Sequence, residues 1–130
     1  MSGLAALPAA LLVMLGGALG AGLRFGAGRW SVATLGPELP FGTWGVNIAG
    51  GLAMGVLAGW LAGRTSDAAE PLRLFLGVGV LGGFTTFSAF SLETVEMILR
   101  GDFALALAYV VSSVAGSVVA LYAGLLLVRL

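Results

Sequence analysis

GVGVLGGFTTFSAFSLE, residues 77–93, lies inside an apolar run from Pro71 to Leu99, and the reading of its middle decides the fold. A run of that length crosses a bilayer, which takes about 20 residues. Its centre is nonetheless a poor helix, because Gly82 and Gly83 stand just ahead of Thr85 and Thr86. Glycine costs about 1 kcal/mol against alanine in a helix interior, and threonine adds side-chain stiffness and competing hydrogen bonds. The stretch therefore predicts a discontinuous span, unwound between Gly82 and Thr86. A break at membrane depth frees backbone groups that lipid cannot satisfy, so it is tolerated only where it is buried in protein or lines a wet cavity. An ion or solute site is expected there.

Just beyond the break, Phe87 and Phe90 recur three residues apart, which puts two rings on one helical face beside the hydroxyls of Ser88 and Ser91. An aromatic ring has a negative face and a positive edge. Ring edges favour a small anion without the desolvation cost that an unpaired Lys or Arg would carry.

The rest of the chain sets the environment. Of 130 residues, 59% are hydrophobic and 9% charged, against about 25% charged in a soluble domain, which marks an integral membrane protein. With no Cys and no His, disulfides, thiolate metal sites and imidazole bases are excluded. Six Arg, no Lys and six acidic residues leave no basic surface for nucleic acid. Met1 to Ala6 carries no basic side chain and the apolar run continues past Leu12, so the first segment reads as a retained span rather than a cleaved leader. Hydrophobic runs then predict four spans, at residues 7–26, 41–63, 71–99 and 103–128, forming one all-α membrane domain over residues 1–130 with both termini on one side. Gly77, Gly79 and Gly82 spell a GxGxxG pattern, but no strand precedes it and it carries no nucleotide-binding meaning.

Small residues repeat every four positions along three of these spans: Gly16 and Gly20; Gly51, Gly55, Gly59 and Gly63; and Ala104, Ala108, Ser112, Gly116, Ala120 and Gly124. Such stripes let helix backbones approach closely in lipid. Arginines in and near the loops divide evenly, with Arg64, Arg73 and Arg129 on the side of the termini and Arg24, Arg29 and Arg100 on the other. The positive-inside rule then selects neither orientation, as suits a protein inserted both ways. Discontinuous helices commonly work at the interface of inverted repeats. One copy of this chain has no such repeat, and two copies in opposite orientations would create one. An antiparallel, dual-topology homodimer is the expectation.

Polar side chains within the spans are the remaining candidates. Asn47 offers two N–H donors to an anion, or simply pairs with another helix. Tyr109, Ser113 and Ser117 fall four apart on the last span as one hydroxyl stripe, read from spacing alone as a track or as packing. Glu93 and Glu96 sit in the second half of the third span, Glu96 with Arg100 at i+4. Arg24 either snorkels to the interface or concentrates anions in a vestibule.

GGFTTFSAFSLE at 82–93, FGTWGVNIAGG at 41–51 and GGALGAGLRF at 16–25 together resemble the CrcB/Fluc family of fluoride channels, and the resemblance runs through the chain in order and spacing. Its central motif is TTFSxFSxE. Ala89 stands where many relatives carry Thr, and Gly51 where a Ser is common; neither touches the Phe pair or the Asn. The resemblance implies a passive fluoride-selective channel, not an enzyme, in a bacterial inner membrane, exporting fluoride from the cytoplasm and so protecting the cell. It implies two pores per dimer built with Phe87 and Phe90 of both chains. Asn47, Thr86 and Ser88 are implied in the pore, Tyr109, Ser113 and Ser117 as a polar track, Glu93 orienting hydroxyls, and Arg24 in the vestibule.

Counting carbonyls adds a cation. If residues 82–86 unwind at the dimer centre, the carbonyls of Gly82 and Thr85 from two chains lose their amide partners, and unpaired carbonyls in a dry site are costly. A hard monovalent cation suits such oxygens, and the resemblance likewise implies a structural sodium ion. The alternative is that the Thr85 and Thr86 hydroxyls or a water cap these carbonyls. Two other classes compete for the whole chain: a small dual-topology proton-coupled drug exporter, which needs an acidic residue in the first span where this sequence has none, and a non-transporting packing subunit, which leaves the clustered Thr, Ser, Phe and Asn unexplained.

Overall fold

The structure, a computed structural model, describes residues 3–64, 67 and 69–129. The described residues are helical throughout apart from short connectors, and four segments are long and apolar enough to cross a membrane: Pro8–Leu35, Phe41–Ala62, Ala69–Leu99 and Phe103–Arg129.

The first helix, α1 (Gly3–Leu35), is longer than expected. Residues 28–35 were expected in a connector, yet no proline interrupts them, and the helix ends only at Gly36, whose φ of +83° lets its N–H close on the Val32 carbonyl at 3.0 Å. Arg29 is therefore a helical residue and not a loop charge. The second helix, α2 (Phe41–Ala62), matches its expectation to within one residue, with Gly63 at its C-cap.

The third span is broken, but not where the glycines suggest. A short α3 (Ala69–Leu72) runs into a π-helix (Arg73–Leu81) and a last turn, α4 (Gly82–Phe84). Gly82 is helical, with φ −63° and ψ −39°. The chain becomes extended at Thr85, φ −87° and ψ 161°, and winds again in α5 (Ser88–Leu99). Gly83 is glycine for a different reason: a Cβ there would overlap the Gly17 carbonyl of α1. The α5 C-terminus closes with two bonds, Asp102 N–H to Met97 O at 2.9 Å and Gly101 N–H to Ile98 O at 3.0 Å, with Gly101 at φ +85°. The last helix is α6 (Phe103–Arg129).

Glycine stripes join these helices into two parallel pairs. In the first, Gly16 and Gly20 of α1 lie so close to the π-helix that a Cβ would strike the carbonyls of Phe75 and Val80. In the second, Gly51, Gly55 and Gly59 of α2 face the backbones of Ser117, Leu121 and Leu125 of α6 in turn, and Gly124 returns the contact against Leu52. Gly63 meets nothing and does not belong to the stripe. In lipid such contacts rest on van der Waals packing. The two pairs meet where α5 lays Phe90 and Met97 against Ala106 and Tyr109 of α6, which puts the break on the seam between them.

Candidate functional site

The break is held from both neighbouring helices. Asn47 of α2 clamps the Thr86 backbone, taking its N–H on Oδ1 at 2.8 Å and donating Nδ2 to its carbonyl at 2.9 Å. Arg24 of α1 donates Nε to the Gly83 carbonyl at 3.1 Å. Within the segment, the Thr85 N–H and hydroxyl both donate to the Leu81 carbonyl, at 3.1 and 2.9 Å. Thr86 Oγ1 takes the Ala89 N–H at 3.2 Å at the start of α5, and the Phe87 carbonyl accepts from Ser91 N–H and hydroxyl at 2.9 and 2.8 Å.

This pattern bears on the carbonyls of Gly82 and Thr85. In a continuous helix their donors are the N–H groups four residues on, Thr86 and Ala89. Both of those are spent on side-chain oxygens, and the Thr hydroxyls are occupied without capping either carbonyl. Gly82 and Thr85 line one groove, and no charged side chain lines it with them. Neutral carbonyl oxygens stripped of their amide partners fit a hard monovalent cation.

That groove, about 500 Å³ between α2, the break and α6, gathers most of the expected site: Asn47, Thr85, Thr86, Phe87, Phe90, Ser113 and Ser117. The two rings differ in setting, for Phe90 is 8% exposed and Phe87 77%. Their centroids lie 5.6 Å apart, and Phe90 lies 5.2 Å from the Tyr109 ring, each pair tilted by 42–45°. The Ser113 hydroxyl is buried with no hydrogen-bond partner, an expense that a native structure normally avoids.

Four expected residues stand outside the groove. Tyr109 and Glu93 lie behind Phe90, where the Tyr109 hydroxyl donates to Glu93 Oε2 at 2.5 Å and the Thr43 hydroxyl donates to Oε1 at 2.7 Å. Each carboxylate oxygen thus has its own donor. Glu93 and Thr43 also border a recess of about 290 Å³ with Ser31, Glu96 and Arg100 at the end of the bundle away from the termini. Arg100 pairs with Asp102 at 3.4 Å rather than with Glu96. Ser88 is exposed, 3.4 Å from the Thr86 hydroxyl. Arg24 lines a separate groove of about 690 Å³ with Arg29, Thr43 and Thr86, so Thr86 borders both.

Thr43 is the residue that sequence reading passes over. Three places into α2 it looks like a helix-start residue, yet it lies one turn before Asn47 on the same face, and that spacing was the available signal. Trp44 and Ser112 were missed as well: the indole N–H donates to the Ser112 hydroxyl at 3.1 Å and ties α2 to α6 one turn beyond Tyr109.

Residues 11–125 match the model of a family described as "CrcB-like protein, Camphor Resistance (CrcB)". The chain is 54% identical over 123 residues to a "Fluoride-specific ion channel FluC" of Novosphingobium aromaticivorans, covering 93% of this chain and 96% of that protein. Proteins of the same name are 50% identical over 119 residues in Caulobacter vibrioides, covering 92% and 94%, and 55% identical over 119 residues in Hyphomonas neptunium, covering 92% and 94%.

Proposed function

The chain belongs to the CrcB family, and from that premise we propose that it is a passive fluoride-selective channel that lets fluoride leave the cytoplasm of a bacterium across its inner membrane. The observation that carries the reading is the composition of the groove at the break, which offers ring edges, an amide and unpaired hydroxyl capacity but no cationic side chain. Fluoride binds its hydration water tightly, so its path must supply replacement donors without an unpaired Lys or Arg that would trap it. Asn47 has spent one N–H on Thr86 and retains the second; Ser113 retains its hydroxyl proton; Phe87 and Phe90 supply electropositive edges. Glu93, its two oxygens occupied by Tyr109 and Thr43, holds those hydroxyls in fixed orientation beyond Phe90. Arg24 and Arg29, in the groove on the other face of Thr86, raise the local anion concentration. No covalent step is involved, and this is no enzyme.

The reading includes a second copy in the opposite orientation. In lipid, an open groove with free carbonyls and a polar lining would lack partners, and Phe87 stands 77% exposed beside it. A second chain placed against this face supplies the missing wall, and the even division of arginines between the two ends of the bundle, with Arg29 counted at the end of α1, permits either insertion. A sodium ion held by the carbonyls of Gly82 and Thr85 of both chains would supply fixed positive charge at their junction without travelling with fluoride. The rival drug exporter has no support in α1, where residues 3–35 contain no Asp or Glu.

Purified protein in liposomes tests the function: the expected result is fluoride efflux that moves net charge, with chloride efflux at background. Equal rates for the two ions, or no flux at all, would overturn it.

A further inference from the structure

An α-helix breaks when its amide hydrogens find better partners than the carbonyls four residues back. Two such diversions occur here, and they fall on the two carbonyls at issue. Asn47 Oδ1, from a different helix, takes the Thr86 N–H that belongs to Gly82 O. Thr86 Oγ1, within the break, takes the Ala89 N–H that belongs to Thr85 O. Three of the neighbouring carbonyls are not left open in this way. Leu81 O accepts from Thr85, Gly83 O from Arg24, and Thr86 O from Asn47.

We propose that Asn47 and Thr86 are positioning residues for a cation: their side-chain oxygens keep the carbonyls of Gly82 and Thr85 open by taking the two N–H groups that would otherwise close helical bonds on them. The inference rests on the sodium site proposed above and adds the residues that create it. It gives Asn47 two separable tasks. Its oxygen opens the cation site, while its remaining N–H is left for an anion in the groove that Asn47 lines. The glycine content of the segment does not by itself open the carbonyls, since Gly82 is helical. Competition by side-chain acceptors does.

The test reads sodium dependence of dimer stability, measured as thermal melting and as dimer retention in detergent, with sodium titrated against N-methylglucamine. Thr86→Val keeps the branched shape but loses the acceptor, and the sodium concentration giving half-maximal stabilisation should rise at least tenfold. Thr86→Ser restores the acceptor and should return it to within about threefold of wild type. Asn47→Leu should behave as Thr86→Val, whereas Asn47→Asp retains an acceptor for the Thr86 N–H and should keep sodium dependence while fluoride flux falls. If Asn47→Leu does not fold, the Thr86 pair alone decides. Wild-type sodium dependence in Thr86→Val overturns this inference and leaves the sodium site standing. Absence of any sodium dependence in the wild-type protein removes both.

Discussion

Phe87 and Phe90 share a face but not an environment, and their substitutions should differ accordingly. Phe87→Ile and Phe90→Ile both keep apolar bulk and remove the ring edge, so fluoride efflux should fall at least tenfold in each. Stability should fall only for Phe90→Ile, by about 1–2 kcal/mol, because that ring is buried against Tyr109. Wild-type efflux from both variants at equal reconstituted amounts would exclude ring edges from the pathway. At Glu93 the expected change is finer. Thr43→Val leaves Oε1 without its donor, at a cost of about 1–3 kcal/mol, and efflux should drop; Thr43→Ser should restore both. Equal melting temperatures and efflux in the Val and Ser variants would show that Thr43 does not hold the carboxylate. These residues also show how far sequence reading reaches. Phe87 and Phe90 stand out as paired rings beside the break, whereas Asn47, Ser113 and Ser117 read equally as packing residues from their spacing and are assigned to the pore only by the family resemblance. That they meet in one groove could not be read, because it depends on which helices share backbone contacts.

Each helix turned out to be legible to the extent that its sequence was free of competing forces. The ends of α2 and α6 fall within one residue of the expected spans because apolar content and helix propensity stop together there. In α1 they do not: the apolar run weakens near Gly26, but nothing breaks the helix before Gly36. The break in the third span was recognised but placed too early, since Gly82 and Gly83 signal weakness while Gly83 serves contact with Gly17. Local propensity cannot separate a glycine that bends from one that packs. The π-helix left no sequence signal that we can identify. Packing predicts a sharp contrast between glycines. Gly55→Ala places a Cβ on the Leu121 carbonyl and Gly20→Ala on the Val80 carbonyl, so each should destabilise by 2 kcal/mol or more, an overpacking effect of about the size found in cores. Gly22→Ala, with nothing within 4 Å, should be neutral or stabilising by up to about 1 kcal/mol. Thermal unfolding in detergent checks all three, and similar losses at Gly22 and Gly55 would refute the close-contact account.

At the scale of the whole molecule, orientation is the open variable, and charge sets it. Two lysines added in the connector at 36–40 should fix one orientation, and two in the connector at 63–68 the other. Each variant alone should then give little fluoride efflux, and their co-expression should restore it. Full efflux from either variant alone would remove the antiparallel assembly. The glycine-stitched pairs described above have a mechanical consequence as well. Where backbone touches backbone there is no cushion of side chains to deform, so α1 with the π-helix, and α2 with α6, behave as two stiff plates. Plate meets plate through a close approach of α2 to α1 at Gly42 and Gly28 and through polar rivets, Asn47 on Thr86 and Glu93 between Thr43 and Tyr109, with Phe90 and Met97 as the shim. Loads that the bilayer imposes, by thinning, thickening or curving, are then passed from plate to plate through that joint, beside the groove at the break.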